Sequence, residues 1–414
     1  MKNNIVFCIG LVLFFVALSF FILHPQGVHN VFETLGNFSK NIAAVFFRES
    51  ITATQLREKY SLANRENTKL RILVVPGHEP NYGGAEYKNL KERDLNVELA
   101  GYLEGFLKEN YRYDVVLSRD GNNWNPKLAQ YFDENSGRIE AFKNENQDNM
   151  LYLINNGSLV KIDNNIKHNS APQEVALRLF GINMWANENN ISIIVHIHFN
   201  DYPRKNVSIP GQYSGFSIYV PEKQYSNSTT TRIIAGTVYK RLAKYSPVSN
   251  MPKEDIGVVE EQDLIAIGSY NTLDAPSLLI EYDYIYESQF ADPKTRGPVL
   301  KDLAFQTYLG IQDFFGNQNS VYKYDTLVLP HLWDSSLTEE TAEKGDILAL
   351  QTALIIDGAY PPKGRSKNDC PRTGNFGDCT LEALEIFQNK YKISGEEDVV
   401  GKKTREILNG LYSI

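Results

Sequence analysis

The sequence predicts an α/β domain with a mostly parallel sheet flanked by helices, between an N-terminal transmembrane helix and a small all-α three-helix domain. Short apolar runs alternate with amphipathic helical stretches in the middle of the chain, as in parallel strands joined by crossover helices. Residues 5–23 form an uncharged, apolar run that is long enough to cross a bilayer. Towards the C-terminus only short helical patterns follow one another.

Five segments of the middle region have the composition of buried strands: residues 71–75, 113–119, 191–199, 215–220 and 277–282. Between the first two, Leu95, Leu99 and Leu103 recur at helical spacing. We assign this α/β domain to residues 69–317. Residues 121–172, which are rich in Asn, Asp and Glu and have little periodicity, are expected to be an insertion. A solvated surface loop is the prediction there, with a substrate-gating lid as the alternative.

The C-terminal region consists of a linker at 318–337 and a domain at 338–414. Its apolar residues at helical spacing can close one small core: Leu348, Leu350, Leu354, Leu381, Leu384, Ile386, Phe387, Ile407 and Leu408. Cys370 and Cys379 lie at the two ends of the loop "CPRTGNFGDC". In an exported domain we expect them to form a disulfide, which stabilises a small core, whereas a reducing compartment would keep two free thiols.

The N-terminal region indicates the compartment. We interpret residues 1–24 as an uncleaved membrane anchor, because no convincing small-residue cleavage site follows the apolar run; a cleaved signal peptide and a secreted protein are the alternative. A juxtamembrane helix and a linker are predicted over 25–68. The folded domains are then expected on the extracytoplasmic side of the cell membrane. The net charge of -8 over 414 residues argues against a nucleic-acid partner.

Titratable residues stand at the carboxyl ends of three predicted strands. His78 follows the first strand, at the edge where open α/β sheets bind ligands, although a solvated turn histidine would fit the same position. His196 and His198 share one face of a later strand, and His198 is nearer the strand's end. His196 is expected to be buried and hydrogen-bonded, or to support the site. Glu281 ends a third strand, where a buried carboxylate is costly unless it is paired or functional.

These residue types predict a zinc site. Zinc binds two or three imidazoles and often one carboxylate, and because the chain contains no HExxH motif its ligands must come from separate segments. Three glutamates follow His78. Glu79 adjoins it and has little reach to the same ion, Glu86 lies in a Gly-Gly turn, and Glu92 opens the next helix, where a capping box with Asn89 would also explain it.

Four stretches, "RILVVPGH", "LKERDLN", "IIVHIHFND" and "PSLLIEYDYIYES", resemble in order and spacing the zinc-dependent N-acetylmuramoyl-L-alanine amidases of the Amidase_3 family. The resemblance implies that His78, Glu92 and His198 are the Zn²⁺ ligands and that Glu281 is the catalytic carboxylate. It also implies hydrolysis of the amide between N-acetylmuramic acid and L-alanine in peptidoglycan. Three further residues are candidates for contacts with the ligands or the substrate: His196, Asn200 and Glu86.

The C-terminal stretches "GDILALQTAL", "GNFGDCTLEALEIFQNKYKI" and "VVGKKTREIL" resemble the peptidoglycan-binding domain 1 family. Together the two resemblances imply a membrane-anchored cell-wall hydrolase whose partner is peptidoglycan. A regulatory protein partner is possible, but the sequence does not identify one. Two alternatives stay open: a zinc peptidase that cuts within the stem peptide, and a non-catalytic peptidoglycan-binding scaffold.

Overall fold

The computed structural model describes residues 50–63, 68–162, 171–202, 204, 206–317 and 322–413. The predicted membrane anchor over 1–24, and the part of the juxtamembrane segment before residue 50, lie outside the described residues. Among the helices of the described ranges, none combines the length and the apolar character that a membrane span needs.

Eight strands are found in the described residues: β1 (Leu70–Pro76), β2 (Glu86–Tyr87), β3 (Leu90–Lys91), β4 (Tyr113–Leu117), β5 (Ile193–Asn200), β6 (Ser217–Pro221), β7 (Val258–Glu261) and β8 (Ser277–Tyr284). Six of them form one sheet in the order β4-β1-β5-β8-β6-β7, and β2 and β3 form a separate hairpin. Strands β4, β1, β5 and β8 are parallel. Strand β6 is antiparallel to β8 and parallel to β7. The prediction of a mostly parallel sheet is therefore confirmed.

The helices of the described residues are α1 (Ala53–Leu62), α2 (Glu92–Glu109), α3 (Pro126–Asn155), α4 (Gln173–Glu188), α5 (Ser228–Tyr245), α6 (Ser288–Ala291), α7 (Pro293–Phe314), α8 (Lys344–Asp357), α9 (Asp378–Lys390) and α10 (Lys402–Tyr412). Side chains of α2, α5 and α7 form the main core with one face of the sheet. Side chains of α4 pack on the other face, through Ile182 and Trp185 against Leu73 and Ile194. The sheet is thus flanked by helices on both faces, as predicted.

Helix α1 corrects the prediction of a linker up to residue 68. Leu56 is fully buried and Tyr60 is 7% exposed, and both belong to the main core. The side chain of Arg57 donates to the carbonyl of Phe314 at 2.8 Å. A capping box of Thr52 and Gln55 begins the helix. The α/β domain therefore starts before residue 69, and this capping box is the sequence signal that would have indicated it.

Helix α3 corrects the prediction of a solvated loop over 121–172. The side chain of Ile139 on α3 is buried against Phe180 and Met184 of α4. The two helices approach closely at Gly181, where an added Cβ would lie 3.0 Å from Phe132 and Ile139. Many polar residues on the outer face, together with a non-helical residue at position 135, conceal the helical period in the sequence.

The C-terminal domain has its own core, to which α8, α9 and α10 contribute Leu350, Leu354, Leu384, Phe387 and Leu408. Three predicted members of that core, Leu381, Ile386 and Ile407, are only partly buried or exposed. Leu348 belongs instead to the main core of the α/β domain, because α8 also packs against α7. In the structure Cys370 and Cys379 form a disulfide that closes the intervening loop.

A buried ion pair joins the disulfide loop to the α/β domain. Arg372 donates through Nη2 to Oδ2 of Asp302 on α7 at 2.8 Å, and the two side chains are 4% and 0% exposed. Nη1 of Arg372 donates to the hydroxyl of Thr352 at 3.1 Å. The other oxygen of Asp302 accepts from the hydroxyl of Thr326 and the backbone of Leu327. The charges are therefore paired and hydrogen-bonded, as burial requires.

We expect Arg372→Ala to destabilise the protein by about 3–5 kcal/mol, because it leaves Asp302 as an unpaired buried charge. Urea titration of the whole protein measures this change in the free energy of unfolding. The matched control is Lys402→Ala, since the side chain of Lys402 is 82% exposed at 4.0 Å from Glu406; its expected cost is about 0–1 kcal/mol. Equal costs for the two variants would show that the buried pair does not stabilise the domain contact.

Candidate active site

His78 lies in the first turn after β1 and has a left-handed backbone conformation, with φ of 68°. Gly77 extends the strand by donating its N–H to the carbonyl of Ile197 on β5 at 2.8 Å. An added Cβ on Gly77 would lie 2.2 Å from Cε1 of His198, so only glycine permits this approach. The guanidinium of buried Arg119 donates to the carbonyls of Pro76 and Gly77. The turn that carries His78 is thereby fixed from both sides.

Glu92 is the first residue of α2, and its side chain is 6% exposed. Oε1 lies 2.8 Å from Nε2 of His78 and 3.0 Å from Nδ1 of His198. The same oxygen accepts from the backbone of Phe199 at 3.2 Å, and Oε2 accepts from the backbone of Ala85 at 2.8 Å. The capping box with Asn89 does not form, because the N-cap is residue 91 and makes no side-chain cap bond. The carboxylate of Glu92 faces the two histidines instead.

His78, Glu92 and His198 each offer one ligand atom, and these atoms lie within 4.8 Å of one another. The two imidazole rings are 4.9 Å apart and nearly perpendicular. Burial alone would raise the pKa of Glu92, but the two neighbouring histidines lower it overall. Burial lowers the pKa of His198, which favours its neutral form and leaves a lone pair free. This set of two imidazoles and one carboxylate has the chemistry of a zinc site.

Glu281 lies beside this group on β8. Its Cα is paired with that of His198 in the parallel register and with that of Ser217 on the antiparallel side. Oε2 of Glu281 is buried and has no hydrogen-bond partner within the described residues. Burial, followed by the nearby carboxylates of Glu92 and Glu254, raises the pKa of Glu281 well above its usual value. A carboxyl group in these surroundings holds a proton more readily than an exposed glutamate does.

The remaining candidates occupy different surroundings. His196 is 1% exposed and is hydrogen-bonded to the backbone of Ala266. Burial lowers the pKa of His196 to about 3, so its side chain is neutral. Asn200 donates to the carboxylate of Glu254. The side chain of Glu86 is 57% exposed, and its Oε1 lies 3.3 Å from Nη1 of Arg93. Of the residues predicted to make supporting contacts, His196 and Asn200 therefore lie on the same strand as His198, and Glu86 pairs with Arg93.

Glu79 is held away from the same group by two other side chains. Its Oε1 accepts from Nε of Arg178 on α4 at 2.9 Å, and its Oε2 accepts from the indole of Trp124 at 3.0 Å. The sequence did not indicate two residues that shape the site, Arg119 and Glu254. Arg119 stands two residues after the end of β4, as His78 stands two residues after the end of β1, and that position was a usable signal. Glu254 lies in a loop with no such pattern.

An α/β sheet whose carboxyl edge brings two histidines and a glutamate together beside a buried carboxyl group has the arrangement of a hydrolase site that could hold a metal ion. The profile of the N-acetylmuramoyl-L-alanine amidases, Amidase_3, matches residues 72–313, which is more than half of the chain. The chain therefore belongs to this family. It is an amidase that cleaves the bond between N-acetylmuramic acid and L-alanine of peptidoglycan.

Several solved structures are similar to this chain. An N-acetylmuramoyl-L-alanine amidase from Clostridium difficile 630 is 18% identical with a TM-score of 0.37, and the match covers 61% of this chain and 100% of the other. The CwlD amidase of Clostridioides difficile, in complex with the GerS lipoprotein, is 17% identical with a TM-score of 0.38, covering 60% and 99%. Ami1 from Mycobacterium smegmatis is 16% identical with a TM-score of 0.38, covering 61% and 99%. No curated protein matches the chain. The family assignment rests on the profile alone.

We expect Gly77→Ala to lower the hydrolysis rate by about 100-fold or more, because the new methyl group displaces His198 by the order of an ångström. Release of soluble fragments from purified peptidoglycan measures the rate. The matched control is Gly105→Ala on α2, where an added Cβ meets nothing within 4 Å. Wild-type activity in Gly77→Ala would contradict the close approach of the two segments.

Proposed function

We propose that His78, Glu92 and His198 hold one Zn²⁺ and that Glu281 is the catalytic carboxylate. The observation that carries this proposal is the convergence of the three ligand atoms on one point, with the carboxyl group of Glu281 on the neighbouring strand. Two nitrogens and one oxygen suit zinc, and a catalytic site leaves a further position open for water or substrate. The family to which the chain belongs supports the same metal.

His78, Glu92 and His198 would hold the ion, which would supply Lewis acidity to polarise the amide carbonyl and to activate water. Glu281 acts as the general base that accepts a proton from the attacking water. The water oxygen forms a bond to the carbonyl carbon of the muramic acid lactyl group. The carbon–nitrogen bond to L-alanine breaks as Glu281 gives its proton to the leaving nitrogen. The products are a carboxylate on the sugar and a stem peptide with a free L-alanine amine.

Two features of the chain's own residues prepare Glu281 for this role. Its buried Oε2 has no partner among the described residues, so it is free to contact a water or a substrate atom. Its raised pKa, caused first by burial and then by Glu92 and Glu254, lets the carboxyl group carry a proton between the two steps. Substitution by glutamine keeps the shape of the side chain and removes the proton acceptor.

We expect Glu281→Gln to lower the hydrolysis rate by about 100- to 10,000-fold while it retains bound zinc, since general acid–base catalysis contributes that much. Mass spectrometry of digested peptidoglycan measures both the rate and the products. The wild type should release stem peptides that begin with L-alanine, and a chelator should stop their release. Glu104→Gln, near the C-terminal end of α2, is the control. Cleavage within the stem peptide would favour the zinc peptidase alternative, and unchanged activity in Glu281→Gln would contradict the assigned role.

We also propose that residues 338–414 bind peptidoglycan and hold the enzyme on its substrate. The resemblance of three stretches to the peptidoglycan-binding domain 1 family supports this role, as does the separate core of the domain. Hydrogen exchange of the whole Glu281→Gln protein with soluble peptidoglycan fragments tests it. We expect slower exchange in 338–414 as well as at the active site. Protection confined to residues 69–317 would contradict a binding role for the C-terminal domain.

Residues 1–24 are proposed to anchor the enzyme in the cell membrane, with its domains on the extracytoplasmic side where peptidoglycan lies. The uncharged run at 5–23 supports this proposal. Fractionation of cells that produce the whole chain should place the protein in the membrane fraction. Protease added outside the membrane should digest its domains. Recovery of a shortened chain in the medium would indicate signal cleavage and secretion instead.

A further inference from the structure

A second buried carboxylate lies next to the proposed catalytic residue. Glu254 is 1% exposed and belongs to the loop that precedes β7. A carboxylate is costly to bury unless hydrogen bonds replace its water. Four side chains donate to it: Tyr219 at 2.5 Å, Ser249 at 2.5 Å, Asn200 at 3.0 and 3.3 Å, and Tyr284 at 3.3 Å. These donors satisfy both oxygens of the carboxylate.

The donors connect Glu254 to the strands that carry the site. Asn200 stands two residues after His198 at the end of β5, and Tyr284 stands three residues after Glu281 at the end of β8. Tyr219 lies on β6, the other neighbour of β8. One carboxylate therefore bridges the three adjacent strands β5, β8 and β6.

Glu254 itself is held in a fixed position by its own loop. Its N–H donates to the carbonyl of Met251 at 3.0 Å, and the N–H of Met251 donates to the hydroxyl of Ser249 at 3.2 Å. The N–H of Ser249 donates to the carbonyl of Phe216, which directly precedes β6, at 2.8 Å. The carboxylate is thus preorganised before any substrate binds.

The side chain that Glu254 orients most directly is Asn200. The pairing of β5 with β8 shifts register between His198 and Asn200, and such a bulge re-aims the side chain that follows it. The backbone carbonyl of Asn200 accepts from Ile285 at 3.0 Å, which fixes the main chain there. With Nδ2 held by both oxygens of Glu254, the orientation of the amide is set and its Oδ1 is left as an acceptor.

We propose that Glu254 is a positioning residue of the amidase reaction, which acts by orienting Asn200 so that its Oδ1 accepts a hydrogen bond from an amide N–H of the stem peptide. This inference rests on the proposed site of His78, Glu92, His198 and Glu281. Peptide N–H groups on the L-alanine side of the scissile bond are the matching donors. Glu254 is hydrogen-bonded to the side chain of Asn200, and its effect on the reaction passes through that side chain.

The test is a double-mutant cycle on the whole protein with a soluble muropeptide as substrate. We expect Glu254→Gln to lower kcat/KM by about 10- to 100-fold with full zinc content, because the amide of Asn200 is no longer fixed. Asn200→Ala should lower kcat/KM at least as much. In the Asn200→Ala background, Glu254→Gln should have little further effect, since the two residues act as one unit. Multiplicative effects would overturn the proposal, as would wild-type kcat/KM in Glu254→Gln.

Controls separate positioning from general structural damage. Glu222→Gln alters another buried glutamate, 3% exposed and bonded to Gln224, and it should leave kcat/KM unchanged. Loss of zinc from Glu254→Gln would show an effect on metal retention and overturn the proposal. If that variant does not fold, Ser249→Ala removes one donor to Glu254; it should lower kcat/KM in the wild-type background and leave it unchanged in Asn200→Ala.

A structural measurement, which does not depend on catalytic turnover, tests this inference separately from the proposed function. If the wild type does not cleave the muropeptide, the proposed function fails by itself. Crystal structures of the wild type and Glu254→Gln then decide the inference, which predicts a rotated or disordered Asn200 amide in the variant. An unchanged Asn200 side chain would overturn it.

Discussion

The parallel register of β1, β5 and β8 is the constraint on which the site depends. It places Pro76 opposite Ile197 and His198 opposite Glu281, so the turn after β1 meets His198 and Glu281 at the same edge of the sheet. A one-residue slip of any strand would turn its functional side chain to the opposite face of the sheet. The buried branched side chains of these strands, packed between helices on both faces, specify the register. The chemistry of the site therefore depends on the packing of the core.

Glu92 has the second essential role because it comes from outside the sheet. Its carboxylate reaches both histidines from the start of α2, and backbone N–H groups of Ala85 and Phe199 hold its two oxygens. A buried carboxylate between two imidazoles is stabilised by a positive charge close to it. A divalent cation bound by the three side chains supplies that charge while both histidines stay neutral. The electrostatics of the group and its ligand chemistry thus agree.

Local sequence patterns predicted the strands and helices whose apolar residues recur with a regular period. The positions of His78, His198 and Glu281 at predicted strand ends were enough to place them at one edge of the sheet. They did not decide which of three glutamates completes the ligand set, and only the resemblance to a family singled out Glu92. Helix α3 was missed because polar residues conceal its period, and α1 was missed although a capping box marks its start. Leu348 packs across the domain boundary, and Glu254 reaches the site from a loop. Tertiary contacts of these kinds have no period in a sequence.

The central claim is that His78, Glu92 and His198 together bind one zinc ion beside Glu281. The most direct measurement is a crystal structure of the zinc-loaded protein with anomalous diffraction recorded at the zinc absorption edge. The account predicts one strong anomalous peak within about 2.0–2.2 Å of a donor atom from each of the three side chains. A peak bound by Glu86 or Glu79 in place of Glu92, or no peak between the two histidines, would contradict it.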